Sequence, residues 1–381
     1  MAGQHQPVQL DWHHVHTCAP WPTHAFGHYQ HLTAKCRHPW PLGELKFSAL
    51  PYLTYIDLSN NSLCGPIPKG IGKIVNLQAL QLSNNSLSGE IPPELGNLTQ
   101  LNALLLFGNE LSGKMPTELG RLNNIQFLEL GENKLTGPVP VSLGNLSEMT
   151  YLVLNENQIV GYIPPELGSL SNLNVLALGT NQITGFIPAS IGNLTKLQHL
   201  SFEENKISGC ILKTIANLQN ILHLKMHRNM ITGRIPHALS KLSRLAVLYL
   251  NSNQLIGDIP QEIGNLTNLY SLNLSLNQLS GPVPSQLGDL RNLGYLDISS
   301  NNLSGFIPDT LGSCIKLLSL KMNNNNFNGN LPDTFGNLAS LQIMLDVSNN
   351  KLNGSLPQQL GRLEMLEVLN LSHNQFSGII P

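Results

Sequence analysis

The sequence predicts a repeat solenoid of the α/β type, with a parallel β-sheet on its concave side. Two observations carry this: an asparagine that returns at a fixed interval, and a period-two apolar pattern just ahead of it. The Asn of each N-x-[LIF]-x-G segment falls at Asn61, Asn85, Asn109, Asn133, Asn157, Asn181, Asn205, Asn229, Asn253, Asn277, Asn301, Asn325, Asn350 and Asn374. These marks define fourteen repeats of 24 residues, with one step of 25. The extra residue lies between Leu341 and Leu345 and predicts a local bulge. A chain of 381 residues ordinarily divides into two or three domains. A solenoid instead grows by stacking, without splitting.

Each recurring residue has a mechanical reason, seen in the unit LQALQLSNNSLSGEIPPELGNLTQ at residues 77–100. Leu80 and Leu82 alternate with Ala79, Gln81 and Ser83, which predicts a short strand with one buried face. Asn85 follows the strand, where its amide can satisfy backbone groups stranded in an inward turn. Gly89 permits a tight path, Pro92 fixes φ after Ile91, and Leu95 and Leu98 fill the convex half of the core. A single unit cannot cover its own leucines, so stability resides in the stack.

Composition narrows the function. With 21 Lys+Arg against 23 Asp+Glu the net charge is −2. That balance gives no footprint for nucleic acid or an anionic membrane. No apolar run of about 18 residues exists to insert into a bilayer, and the first thirty residues lack the apolar region of a signal peptide. The five cysteines (Cys18, Cys36, Cys64, Cys210, Cys314) are odd in number and scattered. We therefore expect neither a disulfide framework nor a metal site, with Cys64 and Cys210 as free thiols and Cys314 as a small buried residue. The glycines recur with the repeat, so none forms a phosphate loop. No V-A-I-K, H-R-D or D-F-G string occurs, and no Ser/His/Asp set stands out as a triad. Neither cofactor nor catalytic residue is expected.

The pattern L-x-x-L-x-L-x-x-N-x-L-x-G-x-I-P-x-x-L-G-x-L, over residues 50–381, resembles the plant-specific class of leucine-rich repeats. The Gly-x-Ile-Pro element at Gly89–Pro92, Gly161–Pro164 and Gly185–Pro188 separates that class from animal and bacterial repeats. The resemblance extends to the ectodomains of peptide-sensing plant receptor kinases. It implies a superhelix with 3-10 or irregular structure on its convex side. It also implies a peptide or protein ligand, a co-receptor kinase of the same class, and a place on the extracellular face of the plasma membrane or in the apoplast. One repeat departs: Gly209-Cys210-Ile211-Leu212 replaces the Ile-Pro step, predicting a looser back turn.

Residues 1–41 hold all three tryptophans and eight of the thirteen histidines, with no period. His13, His14, His16 and Cys18 could be read as a metal cluster, but no scaffold is in sight to fix their geometry. Back-translating QPVQLDWHHVHTC with a one-nucleotide shift permits S-P-C-N-W-T-G-I-M-C, and the family's N-terminal cap carries C-N-W-T-G-I-x-C. We read residues 1–41 as a disordered, frame-shifted remnant of that cap. The array then occupies 42–381 and stops in mid-repeat, as expected of a piece of a longer receptor.

Outward strand residues lie six, four and two places before the register Asn, and the residue just before it borders them. The outer repeats carry small or filler residues there, such as Ala79, Gln81 and Ser83 early, or Ser271, Asn273 and Ser275 late. Repeats three to nine instead present Leu105, Phe107, Phe127, Glu129, Glu132, Tyr151, Val153, Asn155, Glu156, His199, Glu203, Glu204, His223, Lys225, His227, Arg228, Val247 and Tyr249. Aromatic residues beside charges on one face suit recognition. Glu132 and Glu156 are like-charged neighbours over Phe127 and Tyr151, where a basic ligand group could dock. Glu203 beside His227 and Glu204 beside Arg228 could equally pair with each other. If unperturbed, His199 and His223 are expected to titrate near pH ~6.5, which would make affinity sensitive to mild acidity. Ten N-x-[ST] sequons occur, most created by the repeat itself. Asn97, Asn145, Asn193 and Asn265, on outer G-N-L-[ST] turns, are the glycosylation candidates.

Three functions remain open. The first is a ligand-binding receptor ectodomain acting in defence or development. The second is a secreted inhibitor or decoy, like the repeat proteins that inhibit pectin-degrading enzymes. The third is a shortened copy of a complete Ser/Thr receptor kinase.

Overall fold

The computed structural model describes Leu50 and residues 52–380. The expected boundary after residue 41, and the cap reading of what precedes it, lie outside the described residues. Each repeat lays down a strand, a short second strand in most cases, and a 3-10 turn. The strands Tyr55–Asp57, Ala79–Gln81 and Ala103–Leu105 pair in parallel, with Leu80 opposite both Ile56 and Leu104. Continued through the array, they form a main sheet of fourteen strands in chain order. Leu80, Leu82, Leu104 and Leu106 point inward and are fully buried, as the period-two pattern requires.

The register Asn joins neighbouring repeats. In the third repeat Asn109 Nδ2 donates to the carbonyls of Leu82 at 3.0 Å and Leu106 at 3.1 Å, and Asn109 Oδ1 accepts the Leu87 N–H at 3.0 Å. The same set recurs along the array, for example at Asn205 with the Leu178 and Phe202 carbonyls and the Ile183 N–H. One amide therefore closes its own turn and ties down the repeat before it.

A second set of parallel strands was not anticipated. The N-x-L-x-G segments form a flanking sheet of four strands and another of eight. Between them, in the repeats of Asn157 and Asn181, regular strand pairing lapses, although the Val160 N–H still donates to the Gly137 carbonyl at 3.0 Å.

On the convex side, Pro93–Asn97 is a 3-10 helix whose N-cap, Pro92, sits at φ −65° and ψ 129°. Gly96 is required here, since a Cβ would stand 2.4 Å from the Glu118 carbonyl oxygen of the next turn. The predicted loosening at Leu212 does not occur. Leu212 takes φ −74° and ψ 149°, and the Ile215 N–H reaches its carbonyl at 3.1 Å, as Leu95 does with Pro92. Buried Ile211 and Ile215 hold the turn without the ring. The extra residue of the 25-residue step is absorbed just ahead of the strand Met344–Asp346, whose register with Ser319 is intact. Ile343 turns outward there.

The cysteines need one correction. Cys64, expected as a free thiol, is disulfide-bonded. Among the described residues Cys210 is free and exposed, and Cys314 is free and buried. Burial pushes the Cys314 thiol up to about 11, consistent with an inert core residue.

The amide ladder predicts that Asn109→Ala lowers unfolding stability by about 2 kcal/mol or more, because the Leu87 N–H is stranded in the core. Asn84→Ala, at an exposed neighbouring position with φ 55°, should cost only the strain of that backbone, about 1 kcal/mol. Urea midpoints of the two variants decide, and equal losses would contradict the assignment.

Candidate ligand-binding face

The main sheet places the predicted residues in ladders. One column runs Ala103, Phe127, Tyr151, Val175, His199, His223, Val247, and the next runs Leu105, Glu129, Val153, Ala177, Ser201, Lys225, Tyr249. With neighbouring strands about 4.8 Å apart, Leu105 and Tyr249 lie roughly 29 Å from each other. The residues thus form a track and not a pocket.

Several predicted neighbours meet. The rings of Phe127 and Tyr151 stack with centroids 5.1 Å apart and 21° between planes. His227 meets Tyr249 edge to face at 5.8 Å, and Tyr249 Oη accepts a hydrogen bond from Ser271 Oγ at 3.1 Å. Arg228 pairs with Glu204, and Asn155 Nδ2 donates to Glu156 Oε1 at 3.3 Å. The Arg228–Glu204 pair is largely exposed and therefore worth little to stability. Glu203 accepts from Ser201 Oγ at 2.6 Å instead of bonding His227 directly, although its charge acts on that ring. Gly131 and Gly179 leave room in their column: a Cβ on Gly131 would sit 3.2 Å from the Phe107 ring, and one on Gly179 would sit 2.8 Å from the Glu203 carboxylate.

The histidines depart from expectation. His199 Nδ1 and His223 Nδ1 lie 3.1 Å apart, so one ring donates to the lone pair of the other. Burial, then the neighbouring His199 and Lys225, pushes His223 down to about 4. Burial and then Lys225 lower His199 as well. Burial is also the main influence on His227, and lowers it. Titration near 6.5 is therefore corrected: both rings of the pair are held below the ordinary imidazole value, with burial the largest cause.

A conformational feature of the face escaped the sequence. The residue before each register Asn has a left-handed backbone, with φ 48° at Glu132, 55° at Glu156, 52° at Thr180, 52° at Glu204 and 53° at Arg228. Asn60, Asn84 and Gly108 suit that region, whereas other side chains cost of order 1 kcal/mol there. The signal was available in the Asn-Asn pairs that fill the ends of the array.

Away from this face, Asn97, Asn145, Asn193 and Asn265 each end a 3-10 helix on the convex side and are exposed. The sequon Asn273, by contrast, lies on the main sheet, where its Oδ1 accepts the Ser275 N–H at 3.0 Å and Oγ–H at 2.7 Å. Among the described residues no group of three or more His, Cys, Asp or Glu side chains could hold a metal ion, and no helix is long and apolar enough to cross a membrane.

The fold is thus a repeat solenoid that presents one continuous laddered face. Comparison with known proteins places it more closely. A model described as Leucine-rich repeat region matches residues 139–255, and the Leucine Rich Repeat model matches eight segments between residues 52 and 381. The chain belongs to the leucine-rich-repeat family. No curated protein matches it. Among solved structures it is similar to the plant peptide hormone receptor RGFR1, solved in complex with RGF2. The two share 38% identity over 87% of this chain and 53% of that one, with a TM-score of 0.86. It is also similar to the Arabidopsis receptor kinase HAESA, solved with the peptide hormone IDA and the co-receptor SERK1. Here identity is 34%, coverage is 88% and 60%, and the TM-score is 0.81. A leucine-rich-repeat protein of Leptospira interrogans matches at 31% identity, 89% and 90% coverage, and TM-score 0.69. The chain thus spans roughly half to three-fifths of the two plant receptor structures.

The histidine geometry predicts a pH response. The folded His223 value lies below the unfolded 6.5, so the unfolded chain binds more protons between about 4 and 6.5. Stability therefore rises with pH across that window and is lost on acidification through it. We expect the His223 ring resonances to titrate with a midpoint near 4, and His223→Gln to flatten the fall in Tm on acidification through the same window. A midpoint near 6.5 would contradict the buried-pair geometry.

Proposed function

We propose that the chain is the ligand-sensing array of a plant receptor-like kinase ectodomain, binding a peptide along the main sheet of repeats three to nine. One observation carries this reading. Those repeats give up filler for stacked aromatics, paired histidines and charges, on a scaffold similar to a receptor solved with its peptide hormone. The exposed positions of Asn97, Asn145, Asn193 and Asn265 support N-glycans on the convex side, leaving the main sheet open. Extracellular placement and a co-receptor kinase partner belong to the same reading, with any kinase activity lying outside the array. A basic group of the peptide would dock over Phe127 and Tyr151 beside Glu129, Glu132 and Glu156, combining cation–π and carboxylate attraction.

Binding to a peptide recovered from plant extracellular fluid tests the proposal. Tyr151→Ala and Tyr249→Ala should each weaken it by about 1–2 kcal/mol, roughly a five- to thirty-fold loss, as for aromatic anchors. Glu156→Lys should weaken binding of a basic peptide more strongly, whereas the convex change Asn145→Gln should leave it unaltered. Loss on the convex change with retention on the three others would refute the site.

A further inference from the structure

The left-handed position before each register Asn is imposed by the fold, whatever residue occupies it. Asn or Ser fills it at Asn60, Asn84, Ser252, Ser300, Asn324 and Asn349. Two occupants elsewhere suit neither the backbone nor their surroundings. Thr180, at φ 52°, is β-branched, and crowding at Cβ makes this region least hospitable to such side chains. Its Oγ1 donates to Glu204 Oε2 at 3.4 Å, too long a bond between exposed groups to compensate. Leu276, at φ 53°, is strained in the same way and is also 56% exposed, so it holds an apolar side chain in water. Folding gains from neither residue. Asn at either place would follow the same backbone path with less strain and restore the Asn-Asn pair found at Asn84-Asn85.

Both residues border the recognition face. Thr180 stands in its middle, between Glu156 and Glu204 in the same row. Leu276 lies one repeat beyond that of Tyr249, extending the track past the residues that composition singled out. Four repeats separate them, or about 19 Å at ~4.8 Å per strand, a distance covered by about six residues of extended peptide at ~3.3 Å each.

We infer that Thr180 and Leu276 are specificity-determining residues, retained against the stability of the array because they read an extended peptide. Thr180 offers its hydroxyl to the peptide's polar groups, and Leu276 covers an apolar side chain near the peptide's other end. This inference rests on the peptide-binding reading and adds two contacts to it.

A random dodecapeptide library displayed on phage, selected against the wild-type chain, supplies the probe. Thr180→Asn and Leu276→Asn should each raise Tm by about 1–3 °C and weaken the selected peptides at least about tenfold. Ser300→Asn, at the same backbone position outside the face, should leave peptide binding unchanged. A fall in Tm for Thr180→Asn or Leu276→Asn overturns the strain argument. Selected peptides that are lost on Tyr151→Ala but bind both Asn variants fully overturn this inference alone. Selected peptides indifferent to Tyr151→Ala and Tyr249→Ala, or no enrichment from a folded chain, overturn the peptide-binding reading as well.

Discussion

Every repeat is anchored by one side-chain amide with no room to be anything else. An inward turn strands carbonyls and an N–H that water cannot reach, and an unpaired buried group of this kind destabilises the fold severely. Asn alone offers two donors and an acceptor on so short a stem. Asp would lose the donors and add a buried charge, while Gln would place its amide one carbon too far out. Because every mark from Asn85 to Asn374 bonds both its own turn and the preceding repeat, these thirteen act as one ladder. The leucines supply most of the driving force, but the amides set the phase in which they stack.

This division of labour leaves the outward strand positions free. Leu80, Leu104 and Leu128 must face inward, but nothing in the packing dictates Gln81, Leu105 or Glu129 between the flanking buried residues. The late repeats show what such a face looks like without other demands. Asp297 accepts from Ser299 Oγ at 2.6 Å and Asp346 from Ser348 Oγ at 2.7 Å, each carboxylate bonded within its own repeat. In the central repeats contacts between repeats are added, such as Phe127 on Tyr151 and His199 on His223. Side chains there are arranged along the track, the direction in which an extended peptide would run.

Much of this was legible in the residues. Period two gave the strands, the spacing of 24 gave the register, and Asn85 gave the ladder, because each is a local requirement repeated many times. The flanking sheets were missed because their strands expose most side chains and carry no apolar alternation. The left-handed row was missed because a conformation is invisible until the backbone is built, although Asn-Asn pairs hinted at it. The histidines were misjudged for a related reason: burial and a ring-to-ring hydrogen bond come from the neighbouring strand, 24 residues away. Cys64 was misread because an odd cysteine count says nothing about which of them pair.

The amide ladder and leucine core thus specify the fold, while the outward face of the middle repeats is the one we propose for recognition. Replacing the outward residues of repeats three to nine together with the Gln, Ser and Asn of the outer repeats tests this division most directly. We predict a chain with unchanged circular dichroism, a Tm at least as high as wild type, and a single cooperative transition. A chain that unfolds, or melts well below wild type, would show that these side chains hold the array together and would contradict the division.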